Sequence, residues 1–332
     1  MRLLRGRVGS GTMPGGAVVT IGKFDGLHRG HRALLAEAAA RGQSLGLPVV
    51  LVSFEPSPEE FFAGENAYPR LTRFVSKWRL VAATEQVDAV ACLRFNAAFA
   101  ARCPEDFVRE TLVAGLNAKA VIVGEAFRFG HRRRGDVALL ERMGRRCGFE
   151  TVPVAPVGDG EGRISSSRVR VALSENRLDD AAALLGRPYR LYGRVVAGEK
   201  LGGRLGYPTA NLALGRRPPP LAGIYVVHAE GLPGGARYGM ASVGERPTVA
   251  GRRRLLEVYF PGFTGDLYGR LLAVDFLDWL RAEARFASLD KLAAAIGKDV
   301  AIGEAWLAER GLDWKAADAD KSMSEKQESD ER

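Results

Sequence analysis

The residues whose types and spacing carry the most chemistry lie near the amino terminus: Gly22, Phe24, Asp25, Gly26, His28, Gly30 and His31. Glycines at this density let a ligand approach the backbone, and an imidazole can donate an N–H to phosphate oxygens as charge builds in a transition state. A β-branched run, Ala17 to Ile21, precedes them, and an Ala- and Leu-rich stretch, Arg32 to Arg41, follows and is expected to stop near Gly42. Strand, glycine loop and helix in that order turn amides and the positive end of a helix dipole toward one spot, which suits a phosphate. The two histidines have other readings, a metal pair or plain surface residues. No nearby group completes a metal site, and two of the chain's four histidines fall in this one loop. The spacing is not the G-x-G-x-x-G of dinucleotide-binding folds.

Four further groups are candidates. Thr209 and Asn211, two apart in an extended segment, point the same way. Neutral oxygens so placed suit Mg²⁺, whose other ligands would be ATP phosphates and water; a turn into a strand is the plainer reading. In the run Leu255 to Phe260, Glu257 and Tyr259 take one face and the apolar residues the other. A carboxylate there can accept a substrate hydroxyl's proton, or be an ordinary exposed charge. Phe127 and Phe129 flank Arg128 just after Gly124. Their faces suit a flat ring and the arginine a phosphate; equally, both belong to the core. Ser165, Ser166 and Ser167 before Arg168 read as a helix start that offers hydroxyls to phosphate, with Arg168 on a leaving pyrophosphate, or as a plain cap.

The elements that must position these groups fall into two halves. Strand-like runs near 17–21, 48–54, 87–93, 118–124 and 150–155 alternate with helical stretches at 31–42, 72–86, 104–116 and 136–147. Such alternation gives an α/β, Rossmann-like parallel sheet with ligands at the carboxyl ends of the strands. The loops after 21, 54 and 124 should therefore share one rim. Beyond Gly186 the chain changes to short strands separated by Gly, Pro and Asp turns, the pattern of an antiparallel β-barrel, closed by helices near 288–296 and 304–310. The expected domains are 1–186 and 187–314, with a polar, disordered tail at 315–332. A length of 332 residues suits two cores. Cys92, Cys103 and Cys147 fit no disulfide framework, which points to a cytoplasmic protein. No apolar run is long enough for a membrane span, and Met1 to Pro14 lacks the apolar core of a secretory signal. The net charge of +9 suits anionic partners and does not choose between nucleotides and nucleic acid; no RNA- or DNA-binding signature is present.

The H-x-G-H match at His28 to His31 resembles the nucleotidyltransferase superfamily. With Gly22 and Phe24-Asp25-Gly26 it is similar to the adenylyltransferase half of bacterial riboflavin kinase/FAD synthetases. The run Gly203-Arg204-Leu205-Gly206-Tyr207-Pro208-Thr209-Ala210-Asn211-Leu212 resembles the riboflavin kinase signature of the same family, as do Gly265 to Gly269 and the Arg281, Glu283, Phe286 spacing. The resemblance spans about 17 to 310. It implies riboflavin, FMN, FAD and ATP as partners, Mg²⁺ on Thr209 and Asn211, Glu257 as the kinase base, and His28, His31 and Ser166 with Arg168 at the transferred phosphate. It places Gly124, Phe127 and Phe129 beside flavin and turns Ile164 to Arg170 into an I-S-S-T-x-I-R motif with Ser167 for Thr. Gly203, Arg204, Gly206, Pro208 and Arg281 would line the kinase site. Departures are Ser57, where the family often has His, and the run Val258 to Phe263, where it often has His and Asp. Ser57 leaves open a kinase with a weakened transferase, the 258–263 run leaves open different flavin-side contacts, and the charge leaves open a flavin- or nucleic-acid-binding regulator.

Overall fold

A computed structural model describes residues 1–6, 8–9, 11–198, 201–214, 219–248 and 251–315; at 65, 245–248 and 251–254 the backbone alone is described. Contacts group the chain into two compact units, Met1–Arg168 with Leu184–Gly186, and Val169–Ala183 with Arg187 onward.

The first unit runs β1 (Arg2–Arg5), β2 (Ala17–Ile21), α1 (Arg29–Leu45), β3 (Val49–Glu55), α2 (Pro58–Ala63), α3 (Phe74–Ala82), β4 (Ala89–Arg94), α4 (Ala97–Ala100), α5 (Pro104–Asp106), β5 (Ala118–Gly124), α6 (Val137–Cys147) and β6 (Glu150–Val154). After α5, residues Phe107–Gly115 continue as a wide π-type helix. The strands form one six-stranded sheet in the order β1-β4-β3-β2-β5-β6, and every pairing is parallel. Helices cover both faces, so the central strands read as unbroken apolar runs; β2 is buried throughout. Leu35, Leu112 and Leu140 from the flanking helices are fully buried too.

Two local expectations change. The basic amino terminus contains a strand, β1, which pairs with β4 at the sheet edge. It carries only a half-buried Leu3-Leu4 pair between arginines, too short a pattern to read as a strand. Helix α1 does not stop at Gly42 but runs to Leu45 and ends on Gly46, whose φ is 63°. Gly42 is there for contact: a Cβ would sit 2.8 Å from Val49 Cγ2.

The helices α7 (Ser166–Ser174) and α8 (Leu178–Leu185) lead to β7 (Tyr189–Val196), α9 (Leu201–Arg204), β8 (Thr209–Ala213), β9 (Gly223–Glu230), β10 (Arg237–Thr248), β11 (Gly251–Tyr259), β12 (Leu271–Arg281) and α10 (Leu289–Ala308). The six strands close into an antiparallel barrel in the order β10-β11-β8-β7-β12-β9, as the turn spacing predicts. The two expected terminal helices are one. Gly303 falls inside α10 because a Cβ there would lie 2.7 Å from Met240 Sδ. Within this unit Tyr225 Oη donates to Asn176 Oδ1 at 2.6 Å, tying the segment after α7 to β9. The tail beyond 315 lies outside the described residues, as do the side chains of Arg252 to Arg254.

Candidate functional sites

Because β2, β3 and β5 are parallel, their carboxyl ends and the loops that follow lie along one edge. In the first of these loops His28 caps α1. Its Nδ1 accepts the His31 N–H at 3.3 Å, so in the neutral ring the proton resides on Nε2. Gly30 makes room for that cap, since a Cβ would sit 3.2 Å from the His28 ring. The two imidazoles stack with centroids 3.7 Å apart, and Phe24 packs against His31 at 5.1 Å. His31 Nδ1 is buried and has no hydrogen-bond partner among the described residues. Burial first, then the charges of His28, Lys77, Lys23 and Arg163, hold the His31 pKa well below the usual histidine range. A neutral imidazole with an unpaired ring nitrogen is therefore set at the start of a helix.

The glycine loop offers fewer amides than its composition implies. Gly22 N–H donates to Val52 O, Gly26 N–H to Thr72 Oγ1 and His31 N–H to His28. Arg29 and Gly30 supply the first-turn amides of α1 with no acceptor among the described residues. Asp25 is an internal clamp: its carboxylate accepts from Leu71 N at 3.2 Å, Thr72 N at 2.8 Å and Thr72 Oγ1 at 3.0 Å. Ser166 Oγ closes the assembly by donating to Asp25 O at 2.9 Å.

The remaining first-unit candidates divide. Ser165 Oγ accepts the Arg168 N–H as a helix cap, and Ser167 is exposed. The Arg168 guanidinium is engaged by Asp159 and Glu161, each at 2.8 Å, and braces the 159–163 loop. Gly124 ends β5, and Phe127 and Phe129 stack at 5.4 Å beyond it. Phe129 is buried in the core against Phe107, with Phe127 half-buried over it, which is the core alternative for Phe129. Ser57 caps α2 in a capping box with Glu60. Sequence reasoning missed Thr72, Lys77 and Arg70. Arg70 pairs with Glu55 and Glu60, and Lys77 Nζ donates to Ser53 Oγ at 3.1 Å. Their partners are too far along the chain for any local pattern to announce.

In the barrel, β8 pairs with β11 so that Asn211 lies opposite Glu257 and Thr209 opposite Tyr259. All four line one cavity of about 710 Å³ together with Tyr207, Ser242, Arg281 and Glu283, a size within the roughly 300–1,000 Å³ usual for small-molecule sites. Asn211 Nδ2 donates to Thr209 O, which leaves its Oδ1 as the acceptor end. Burial, with Tyr207 nearby, pushes the Tyr259 hydroxyl pKa up. Gly203, Arg204, Gly206 and Pro208 are exposed and lie outside the cavity lining, where Gly202, Leu205 and Tyr207 stand instead. Arg281 lines the cavity but its fork is occupied: Nε and Nη2 donate to buried Asp299 at 2.7 and 2.6 Å, and Nη1 to Ala282 O. It ties β12 to α10.

A parallel-sheet unit with a histidine-capped glycine loop thus precedes a barrel whose cavity carries a carboxylate beside neutral oxygens. Comparison with known proteins matches both halves. The family model for FAD synthetase covers residues 11–168 and that for riboflavin kinase covers 185–307. The bifunctional riboflavin kinase/FMN adenylyltransferase of Escherichia coli (strain K12) is 45% identical over 300 residues, 90% of this chain and 96% of its own. That of Pseudomonas fluorescens is 45% identical over 307 residues, 92% and 97% of the two chains. The chain belongs to the bifunctional riboflavin kinase/FMN adenylyltransferase family. It phosphorylates riboflavin to FMN and adenylates FMN to FAD, with ATP as co-substrate in both steps. A solved chain titled a macrolide-efflux protein from Streptococcus pneumoniae has the same fold, with TM-score 0.76 and 30% identity over 91% of this chain and 99% of its own. No helix among the described residues here is long and apolar enough to cross a membrane.

Proposed function

We propose a division of labour among this chain's residues for the family's two reactions. In the barrel, Glu257 accepts the proton of the riboflavin hydroxyl that attacks the γ-phosphate of ATP. Thr209 and Asn211 would hold Mg²⁺, which would supply neutralisation of phosphate charge. The donor set fits that ion: two neutral oxygens on one strand face, with a carboxylate opposite. In the parallel-sheet unit, the Nε2–H of His28 and the His31 ring stabilise the phosphate charge that develops as FMN attacks ATP. Asp25, Ser165, Ser166 and Arg168 hold the surrounding loops. The observation that carries this reading is the pairing of Glu257 with Asn211, and Tyr259 with Thr209, across two strands of one cavity. We place the transferase in 1–186 and the kinase in 187–314, with small-molecule partners and no specific nucleic acid or membrane. The free cysteines suit a reducing cytoplasm.

The test separates riboflavin, FMN and FAD by chromatography after incubation with ATP and Mg²⁺. Glu257→Gln removes the base at constant shape, so FMN formation is lost while added FMN still becomes FAD. His31→Ala does the reverse, and its loss falls in kcat more than in KM. Undiminished riboflavin phosphorylation by Glu257→Gln overturns the kinase assignment. A second reading, a strong kinase with a slow transferase, is favoured by Ser57, which caps α2 where the family often carries a ring donor.

A further inference from the structure

We propose that Lys77 is a further catalytic residue of adenylyl transfer, its ammonium donating to an oxygen of the two reacting phosphates. The inference rests on the reading of the His28–His31 loop as the transfer site. Lys77 on α3 is more than nine-tenths buried, at 9% exposure. An ammonium has three N–H donors, and among the described residues Ser53 Oγ takes the single hydrogen bond that the Lys77 ammonium makes. That bond shows that the ammonium lies against β3. Ser53 follows Val52 on β3, and Val52 O accepts from Gly22, the first residue of the phosphate loop.

The acids that face Lys77 are Asp25 and Glu55, with Arg70 and Cys92 also near. Both acids already serve others, Asp25 holding Leu71 and Thr72 and Glu55 holding Arg70. Burial lowers the Lys77 pKa, and an anion brought beside it would draw it back up. Lys77 in turn is one of the positive charges facing His31, with His28, Lys23 and Arg163. A buried, under-used cation held at Ser53, one residue along β3 from the partner of Gly22, and in electrostatic reach of His31 matches what the reaction needs. In that reaction an oxygen of the FMN phosphate forms a bond to the α-phosphorus of ATP. The bond from that phosphorus to the oxygen bridging to the β-phosphate breaks, and its electron pair leaves on pyrophosphate. Two anions must meet, and a fixed ammonium offsets their repulsion in a site where water is scarce.

The experiment measures FAD formation from FMN and ATP by the full chain. Lys77→Met is expected to lower kcat on the order of a hundredfold, with Lys77→Arg recovering about tenfold of that loss because the charge remains. A larger rise in KM for FMN than for ATP assigns the contact to the FMN phosphate, and the converse assigns it to the α-phosphate. Either satisfies the proposal. The acidic limb of the pH–rate profile moves to higher pH in Lys77→Met, since His31 loses one facing charge and protonates sooner. Ser53→Ala removes the tether and keeps the charge, so its effect is small. Thermal unfolding checks folding, and Lys77→Gln, which keeps a polar end without the charge, replaces Lys77→Met if the latter does not fold. A folded Lys77→Met or Lys77→Gln chain with near-parental turnover and an unmoved profile overturns the proposal. So does a Ser53→Ala loss of equal size, which would make Lys77 a tether. His31→Ala run alongside separates the two readings. If it too is active, the loop assignment fails; if it alone is impaired, only the Lys77 inference does.

Discussion

Asp25 offers the sharpest separation of structure from catalysis in the transferase unit. The resemblance to the family groups it with nucleotide-binding residues, yet its carboxylate sits at 9% exposure and accepts from two backbone amides and a hydroxyl of Leu71 and Thr72. Asp25→Ala strands all three donors in a buried place. Each costs about 1–3 kcal/mol when left without an acceptor. Neighbouring losses overlap as the loop relaxes, so the total is roughly 3–5 kcal/mol. That is a large part of the ~5–15 kcal/mol that holds a typical domain folded. Asp25→Asn keeps one acceptor oxygen at the same shape and should cost about half as much. Denaturant unfolding of the full chain, followed by a probe in each unit, measures this. The transition of the parallel-sheet unit should move to lower denaturant while that of the barrel stays put. FAD formation should fall in step with the folded fraction and recover on cooling or with ligand. If Asp25→Ala leaves stability unchanged but abolishes FAD formation, the clamp argument is wrong and the carboxylate acts on the ligand.

Three further outcomes are expected. A fragment that begins near Val169 should fold and phosphorylate riboflavin, whereas one beginning at Leu185 should be less stable, because it loses the Asn176 partner of Tyr225; circular dichroism and turnover of the two fragments decide it. In the barrel, burial alone would raise the Asp275 pKa, but hydrogen bonds from Arg190 at 2.7 and 2.5 Å, with His228 beside it, outweigh that and hold it low. A depressed carboxylate stabilises above its unfolded pKa of about 3.9 and loses that contribution as pH falls through the folded value, so Asp275→Asn should flatten the barrel's stability profile in strong acid. Ser57→His should raise the FAD-forming kcat if a ring donor limits the transferase, while losing about 1 kcal/mol of stability with the serine cap; kcat and melting temperature of one preparation report both.

What was legible in the sequence follows from how local each signal is. The central strands announce themselves because both their faces are covered, so Val18-Val19 or Val121-Ile122-Val123 needs no polar alternation. The histidine loop and the Thr209–Asn211 pair are legible because their chemistry is packed into a few adjacent residues. Glycine misled where it serves contact instead of turning: Gly42 and Gly303 lie inside helices because Val49 and Met240 press on them. Charge does not announce its partner: Arg168 and Arg281 read as ligand-binding groups, and in the structure Asp159, Glu161 and Asp299 take donors from them. Lys77 and Thr72 were invisible because their partners Ser53 and Asp25 lie 24 and 47 residues away.

Those distant pairings also bear on the residue that departs most from the family. Ser57 has exchanged a ring that can donate for a hydroxyl that accepts, and the capping box with Glu60 makes that hydroxyl structural. Glu60 in turn is paired with Arg70, and Arg70 with Glu55 at the end of β3. Glu55, Glu60 and Arg70 thereby hold the two ends of segment 55–70 to each other, and the guanidinium of Arg70 is taken up by these carboxylates. On the proposed reading, donors for the transferred phosphate come instead from His28 and His31 at the first turn of α1 and from Lys77, which is held at Ser53 on β3. On this geometry the loss at Ser57 shifts catalytic weight onto these three groups, and substitutions at them should cost more here than in a relative that retains the histidine.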